Sequence, residues 1–323
     1  MIKKILKNKW FFRLIGIVIF IFILNKINLK ETLSFFLNLN LSYLVLAILI
    51  MVFASTIKPY RWQYILKTMN INYSFWQVFR LYFIGLFMGI VTPGRLGELG
   101  KIIYLKKNNH SFERSLASIM IDRLADIFYL IISGFIGLFL FFYFFKNLII
   151  IGFSIITIGI ILFIIIIKIK KAKIILKRLI FILVPKKYKQ KIEKSFSEFI
   201  ENIKLYKFKN YFKIFILTTL SWLVSYVAVY FLTKSIGMMN VSFIYLTVSI
   251  TIVSLVTLLP ISISGLGTRE ATFLMLFIPL GFTNEQIISL SLLIFITNFI
   301  IIPIIGLSCW LITPITTNIK NRV

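Results

Sequence analysis

The sequence predicts an all-α, polytopic membrane protein, one integral domain over residues 1–323, with about six full spans and two re-entrant helical hairpins set as an inverted repeat. Three observations predict it. Of 323 residues, 59% are apolar and 15% charged, against roughly 25% charged in an ordinary soluble domain. Uninterrupted apolar runs such as Leu124 to Phe145 and Leu148 to Ile167 reach the roughly 20 residues that cross a hydrocarbon core. Two further apolar stretches are each broken by proline and glycine, and four of the ten carboxylates gather in or beside membrane-embedded segments.

In chain order, a basic stretch (Lys3, Lys4, Lys7, Lys9) precedes an apolar run from Trp10 to Ile27. It imitates a secretory signal, but no small-x-small cleavage site follows, so it reads as a retained first span with Arg13 snorkelling to the headgroups. The second span, Leu41 to Ile57, ends at Lys58-Pro59-Tyr60-Arg61-Trp62. Two cations, a helix breaker and aromatics fit an interfacial anchor, which makes Lys58, Arg61 and Trp62 headgroup or interface candidates. The first hairpin enters over Phe75 to Val91, turns at Thr92-Pro93-Gly94-Arg95-Leu96-Gly97-Glu98-Leu99-Gly100 and returns over Lys101 to Leu105.

Two spans, Leu124 to Phe145 and Leu148 to Ile167, lead into a basic cytoplasmic loop over 168–213. Within it Ile192, Phe196, Phe199, Ile200 and Ile203 share one face of an amphipathic helix suited to a surface of anionic headgroups. A span over Ile214 to Phe231 precedes the second hairpin, which enters over Val241 to Leu259, turns over Pro260 to Glu270 and returns over Ala271 to Pro279. The last span is Ile287 to Ile312, where Thr297 and Asn298 are candidate partners for a neighbouring helix.

Charge placement gives orientation. With the N-terminus inside, 28 of the 37 basic residues are cytoplasmic, 15 of them between Lys168 and Lys213, while Lys26, Lys30, Lys146 and Lys234 face out. This sorting works only if each broken stretch enters and leaves on one face, the first from the cytoplasm and the second from outside. Matching broken segments of opposite orientation mark an inverted-repeat transporter with its site at the repeat interface. Irregular backbone at membrane depth survives only when protein or a cavity covers it, so the tips are expected to bury against each other.

A formal charge of +27 raises nucleic acid as a partner, but the clustering beside a span favours anionic phospholipid and no nucleic acid. A single cysteine, Cys309, and a single histidine, His110, leave no basis for a disulfide framework or a His/Cys metal site. No metal, cofactor or catalytic residue is expected. No phosphate-binding loop of the Gly-x-x-x-x-Gly-Lys-Ser/Thr kind occurs either, so transport is expected to be downhill or ion-coupled rather than driven by ATP.

Charges at membrane depth cost roughly 2.5–3.5 kcal/mol each on insertion scales and are functional candidates by default. Arg95, Glu98 and Lys101 at the first turn, and Ser264, Arg269 and Glu270 at the second, are candidate substrate-binding residues, with Pro93, Gly94, Gly97, Pro260, Gly265 and Gly267 shaping the turns. Glycine lets a phosphate approach the backbone, and each helix resuming after a turn aims its amide-rich N-terminus at the same place. The competing reading is structural: Arg95 pairs with Glu98, and Arg269 with Glu270 or Asp126, to make the tips tolerable. Asp122 and Asp126, spaced i,i+4, lie on one helical face. Asp126 is a further candidate substrate-binding residue, placed to balance the tip arginines or relay protons, and Asp122 is equally a residue at the start of its span.

The set Lys58-Pro-Tyr-Arg-Trp62, Thr92-Pro-Gly-Arg-Leu-Gly-Glu98, Asp122-Arg-Leu-Ala-Asp126 and Pro260 through Gly265-Leu-Gly-Thr-Arg-Glu-Ala271 resembles the flippase-like membrane domain of the lysylphosphatidylglycerol synthase/flippase family, also called the multiple peptide resistance factor. The resemblance covers nearly the whole chain and implies a plasma-membrane protein that moves a phospholipid such as aminoacyl-phosphatidylglycerol between leaflets; the charge placement puts both termini in the cytoplasm. It leaves room for a homodimer and for a separate lipid-modifying enzyme as partners. Full-length members carry a soluble acyltransferase domain; this sequence ends at Val323, soon after its last span, and lysyl transfer is not expected of it. Two other readings stay open: a lipid-modifying transferase with Asp126 or Glu98 as general base, and a secondary transporter of a small anion.

Overall fold

The computed structural model describes residues 9–140, 206–258, 262 and 265–313, and these are all helix and connecting turn with no strand. The span expected over Leu148 to Ile167, the amphipathic helix of the basic loop, Pro260 and Ser264 lie outside the described residues.

The helices are α1 (Lys9–Leu24), α2 (Leu29–Leu37), α3 (Leu41–Thr68), α4 (Phe75–Val91), α5 (Lys101–Lys107), α6 (Phe112–Leu140), α7 (Phe208–Ser235), α8 (Phe243–Leu258), α9 (Thr268–Phe277), α10 (Asn284–Ile296) and α11 (Ile302–Ile312). Their starts are coded locally. Asn40 caps α3 by accepting from Tyr43 N. Ser74 with Gln77, and Thr283 with Gln286, form reciprocal capping boxes that satisfy the first amides of α4 and α10. A π-turn over Thr297–Ile301 joins α10 to α11 just ahead of Pro303, whose ring and missing N–H a regular helix would not accommodate.

Among the described residues three helices are long and apolar enough to cross a membrane: Leu41–Thr68, Phe208–Ser235 and the continuous Asn284–Ile312. Their outward faces expose Leu49, Phe53, Ile216, Leu223, Ile304 and Leu311, and α6 and α9 add Phe128 and Met275. So many large apolar side chains on several faces suit lipid, not water.

Two corrections to the sequence reading concern where helices end. Helix α3 does not stop at Ile57 but runs through Pro59 to Thr68, because Pro59, Arg61, Trp62, Ile65 and Leu66 are all buried and tertiary packing outweighs the breaker. Helix α6 begins at Phe112, so Asp122 lies well inside it and is wholly buried, not a residue at the start of a span.

Both broken stretches double back. After α4 a 3₁₀ segment, Pro93–Gly100, leads into α5, and Glu98 lies beside Gly89 while Lys101 lies beside Gly85, so the return runs antiparallel to α4. Beyond α8, α9 returns along it: the Tyr245 hydroxyl near the start of α8 donates to Leu276 O near the end of α9, and Tyr245 packs edge-on against Phe277. The first tip packs chiefly on its own α4. The second packs on α1, where Gly267, at φ +81°, sits so close that a Cβ would collide with the Gly16 carbonyl. The expectation that the two tips bury mainly against each other is thus not met, since each is covered by helix backbone at closer range.

The long helices pack reciprocally. α3 and α7 lie side by side over most of their length, α4 packs on α11, and α8 packs on α6. One core, around Phe83, Tyr226, Phe273, Phe277 and Ile287, joins α4 to α7–α10. A second, around Trp62, Leu66, Tyr82, Leu105 and Ile119, joins the ends of α3, α4, α5 and α6. The charged residues sit beside these cores.

Candidate functional site

Among the described residues, three buried charge clusters come from these junctions. The first is built on Arg61 of α3, which is wholly buried. Its Nε donates to Asp122 Oδ1 (2.8 Å), Nη1 to Asp126 Oδ1 (2.8 Å) and Thr218 Oγ1 (2.8 Å), and Nη2 to Asp122 O (3.2 Å) and Asp126 Oδ2 (3.1 Å). A guanidinium has five N–H donors, and here each has an acceptor. Asp126 Oδ1 also accepts from Trp222 Nε1 (3.1 Å), and Trp222 stacks on Tyr129 and carries Lys58 Nζ 5.1 Å over its ring. The cluster ties α3 and α6 to α7.

The i,i+4 spacing of Asp122 and Asp126 does put both on one face, but they balance Arg61 rather than the tip arginines. Arg61 and Trp62, expected among headgroups, are enclosed by protein; Trp62 Nε1 reaches Ser118 Oγ (3.3 Å). Two carboxylates, a backbone carbonyl and a threonine leave no N–H of Arg61 open to a further partner. Asp126 thus accepts from Arg61 through both oxygens and from Trp222 through Oδ1.

The second cluster is the first tip. Glu98, 3% exposed, pairs with Arg123 of α6 and, at 3.9 Å, with Lys101 Nζ. Gly85 and Gly89 on α4 make the groove for both side chains: a Cβ at Gly85 would lie 2.7 Å from Lys101 Cγ, and one at Gly89 would lie 2.7 Å from Glu98 Cγ. Lys101 is fully buried with its ammonium between the rings of Trp62 (4.7 Å) and Tyr82 (4.3 Å), and no acceptor hydrogen-bonds it. Gly97 N donates to Thr92 Oγ1 (2.6 Å), which fixes the 3₁₀ turn. The Arg95 side chain lies outside the described residues, and the pairing of Glu98 with Lys101 and Arg123 is what the structure presents.

The third is the second tip. Arg269 and Glu270, at 3% and 0% exposed, pair with each other, and Ser291 of α10 both accepts from Arg269 Nε (2.8 Å) and donates to Glu270 Oε1 (2.9 Å). Arg269 lies 4.9 Å over the Phe295 ring, and its Nη1 has no hydrogen-bond partner. Glu270 Oε2 accepts from Gly267 N (2.7 Å), so the chain's own carboxylate occupies the amide-rich start of α9 where a ligand anion was expected. Gly265 and Gly267, both at φ +81°, supply the left-handed backbone this turn needs.

Thr218, Trp222, Tyr82 and Ser291 escaped the sequence reading. A signal for two of them existed: Thr218, Ser221, Trp222 and Ser225 repeat at helical spacing as a polar stripe on an otherwise apolar span. Thr297 and Asn298 bond to carbonyls of their own helix, Leu293 O and Ile294 O, not to a neighbouring helix as expected.

A family model described as the Lysylphosphatidylglycerol synthase TM region matches residues 10–306. Among similar proteins, a UPF0104 membrane protein of Pyrococcus horikoshii is 32% identical over 124 residues, 37% of each chain. A UPF0104 membrane protein of Methanocaldococcus jannaschii is 25% identical over 331 residues, covering 92% of this chain and 93% of that one.

Proposed function

Since the chain belongs to the family of the Lysylphosphatidylglycerol synthase TM region, and since it buries two incompletely satisfied ion pairs at its two turned-back tips, we propose that it is a lipid translocase of the plasma membrane. The cargo is a phospholipid whose anionic or zwitterionic headgroup passes between the tips' charged side chains while its acyl chains stay in the bilayer. Glu98, Lys101, Arg269 and Glu270 contact the headgroup, whereas Arg61, Asp122 and Asp126 hold the helices in register.

The observation that carries this reading is the contrast between the clusters. All five donors of Arg61 are bonded and its cluster leaves open only an acceptor, Asp122 Oδ2, while at the tips Lys101 Nζ and Arg269 Nη1 are buried cationic donors without an acceptor. A buried donor left open costs roughly 1–3 kcal/mol or more when charged, and apolar packing would hold a static turn at lower cost. A ligand acceptor relieves that cost.

In this proposal the turned-back stretches are re-entrant hairpins of an inverted repeat. The reciprocal packing supports it: α3 pairs with α7, each leading into one broken stretch, while the entering arm of each stretch packs on the helix that follows the other (α4 on α11, α8 on α6). That exchange is what a two-fold relation between α3–α6 and α7–α11 would produce. Alternating access follows from rocking one repeat on the other. Both termini are assigned to the cytoplasm from the placement of basic residues.

The test is leaflet accessibility of short-chain, acyl-labelled phospholipids in proteoliposomes. Lys101→Ala and Arg269→Ala are each expected to slow movement at least tenfold. Wild-type rates in both variants would remove the tip residues from the path.

A further inference from the structure

The last span touches both turned-back stretches, and its helix is irregular between the two contacts. Asn284–Ile312 is continuous, with α10 and α11 joined through the π segment Thr297–Ile301. α10 holds the second tip: Ser291 bonds both Arg269 and Glu270, and one turn on, the Phe295 ring lies 4.9 Å from the Arg269 guanidinium. α11 holds the first stretch. A Cβ at Gly306 would collide with the Phe83 carbonyl oxygen of α4, Trp310 stacks on Phe87 at 6.2 Å, and Tyr104 of α5 donates to Thr313 O (3.0 Å) just past the end of α11.

Rocking α7–α11 on α3–α6, as the translocase reading requires, forces some part of this span to yield. The α4–α11 crossing sets backbone against backbone at Gly306, and packed contacts of that kind do not deform continuously. The α6–α8 crossing is softer, since added Cβ atoms at Gly134 and Gly137 meet only side chains, those of Leu255, Thr251 and Val248. Between α10 and α11 the helix is already weakened. Ile302 N donates to Thr297 O, five residues back instead of four. Pro303 has no N–H, so a carbonyl one turn back goes without its helical donor. The Thr297 hydroxyl bonds Leu293 O and Ile294 O, and Asn298 Nδ2 bonds Ile294 O, all at 3.0 Å; side chains turned back onto carbonyls in this way bend helices. Proline, a π turn and back-bonding side chains are each recognised causes of bending, and here they coincide.

We propose that Thr297–Pro303 is the hinge of transport: α11 stays with the first stretch, α10 carries the second tip, and the angle between α10 and α11 changes as the site turns from one leaflet to the other. The hinge rests on the translocase reading and locates its moving joint.

The experiment follows two pairs of spin labels by pulsed electron resonance in proteoliposomes, with Cys309→Ala removing the native thiol. Asn284→Cys with Phe139→Cys reports α10 against α6, and Leu311→Cys with Lys67→Cys reports α11 against α3; all four positions are exposed. With 13 residues at 1.5 Å each, α10 is a lever of roughly 20 Å, so a bend of about 20° shifts its far end by roughly 7 Å. Two distances several ångströms apart are expected for the first pair and one distance for the second. A single distance for the first pair overturns the hinge, and two distances for the second overturn it as well, because α11 then slides on α4. Deleting Ile300, an exposed residue of the π segment, regularises the helix, because i→i+5 bonding takes up one residue more per turn. Movement of acyl-labelled phosphatidylglycerol is expected to fall tenfold or more, with a thermal midpoint at or above that of the wild type. An unslowed rate in the folded deletion form overturns the hinge. The label pairs keep the segment intact and decide whether or not the deletion form folds. Absence of lipid movement by the wild type, with two α10 distances present, overturns the translocase reading instead and leaves a bend without a cargo.

Discussion

Arg61 sits one turn beyond an apolar run, after a proline and between a tyrosine and a tryptophan, and every local cue there points to an interface. Its partners are 61, 65 and 157 residues away, and nothing local in the sequence announces them. The aspartates were legible as a pair on one helical face, yet not whose charge they balance. Arg61→Ala leaves two buried carboxylates without their cation and is expected to cost about 3–5 kcal/mol, read as a lower thermal midpoint of the purified protein in detergent. Arg61→Lys keeps the charge but offers three donors instead of five, so its midpoint is expected between those of wild type and Arg61→Ala. A midpoint for Arg61→Ala equal to wild type would mean the saturated fork is not a clasp.

The first broken stretch was legible as an element, since the turn over Thr92 to Gly100 falls where the sequence placed it, although Pro303 and Gly306 in another apolar run stay within one continuous helix. What was not legible is what covers each tip. Gly85 and Gly89 look like ordinary small residues of a membrane helix, but they are the floor on which Lys101 and Glu98 lie. Gly85→Ala is expected to push Lys101 out of its aromatic cage and slow lipid movement by tenfold or more with a near-native thermal midpoint; an unchanged rate would show that the groove is not needed. At the second tip, Gly267→Ala meets both a positive φ and the Gly16 carbonyl, whereas Gly237→Ala has φ +82° and open space around it. Left-handed backbone alone costs roughly 1–2 kcal/mol for a residue with a Cβ. Gly267→Ala should therefore lower the thermal midpoint clearly more than Gly237→Ala, and equal losses would deny the close crossing of α1 over the tip.

For the whole molecule, the membrane class followed from composition, while the spans came out differently from the expected set because helices such as α3 and α6 extend past the charges that seemed to end them. Three helices meet the length and apolarity of a span among the described residues; the rest of the topology is open to measurement. Single cysteines at Asn108 and Asn284 are expected to label from opposite faces, inside and outside respectively, and labelling from one face would break the inverted repeat. The proposed rocking is open to a cross-linking test, since a Cβ at Gly137 of α6 would lie 3.1 Å from the Val248 Cβ of α8, a few tenths of an ångström short of the roughly 3.5–4.5 Å of a disulfide. Gly137→Cys with Val248→Cys is expected to arrest movement on oxidation and restore it on reduction. The central claim is that this chain alone carries phospholipid between leaflets, and the most direct measurement is chemical quenching of an acyl-labelled phospholipid in vesicles with and without it. The account predicts that quenching stops at the outer leaflet in protein-free vesicles and proceeds to near completion when the chain is present. Identical quenching in the two, with the chain folded and inserted, would contradict it.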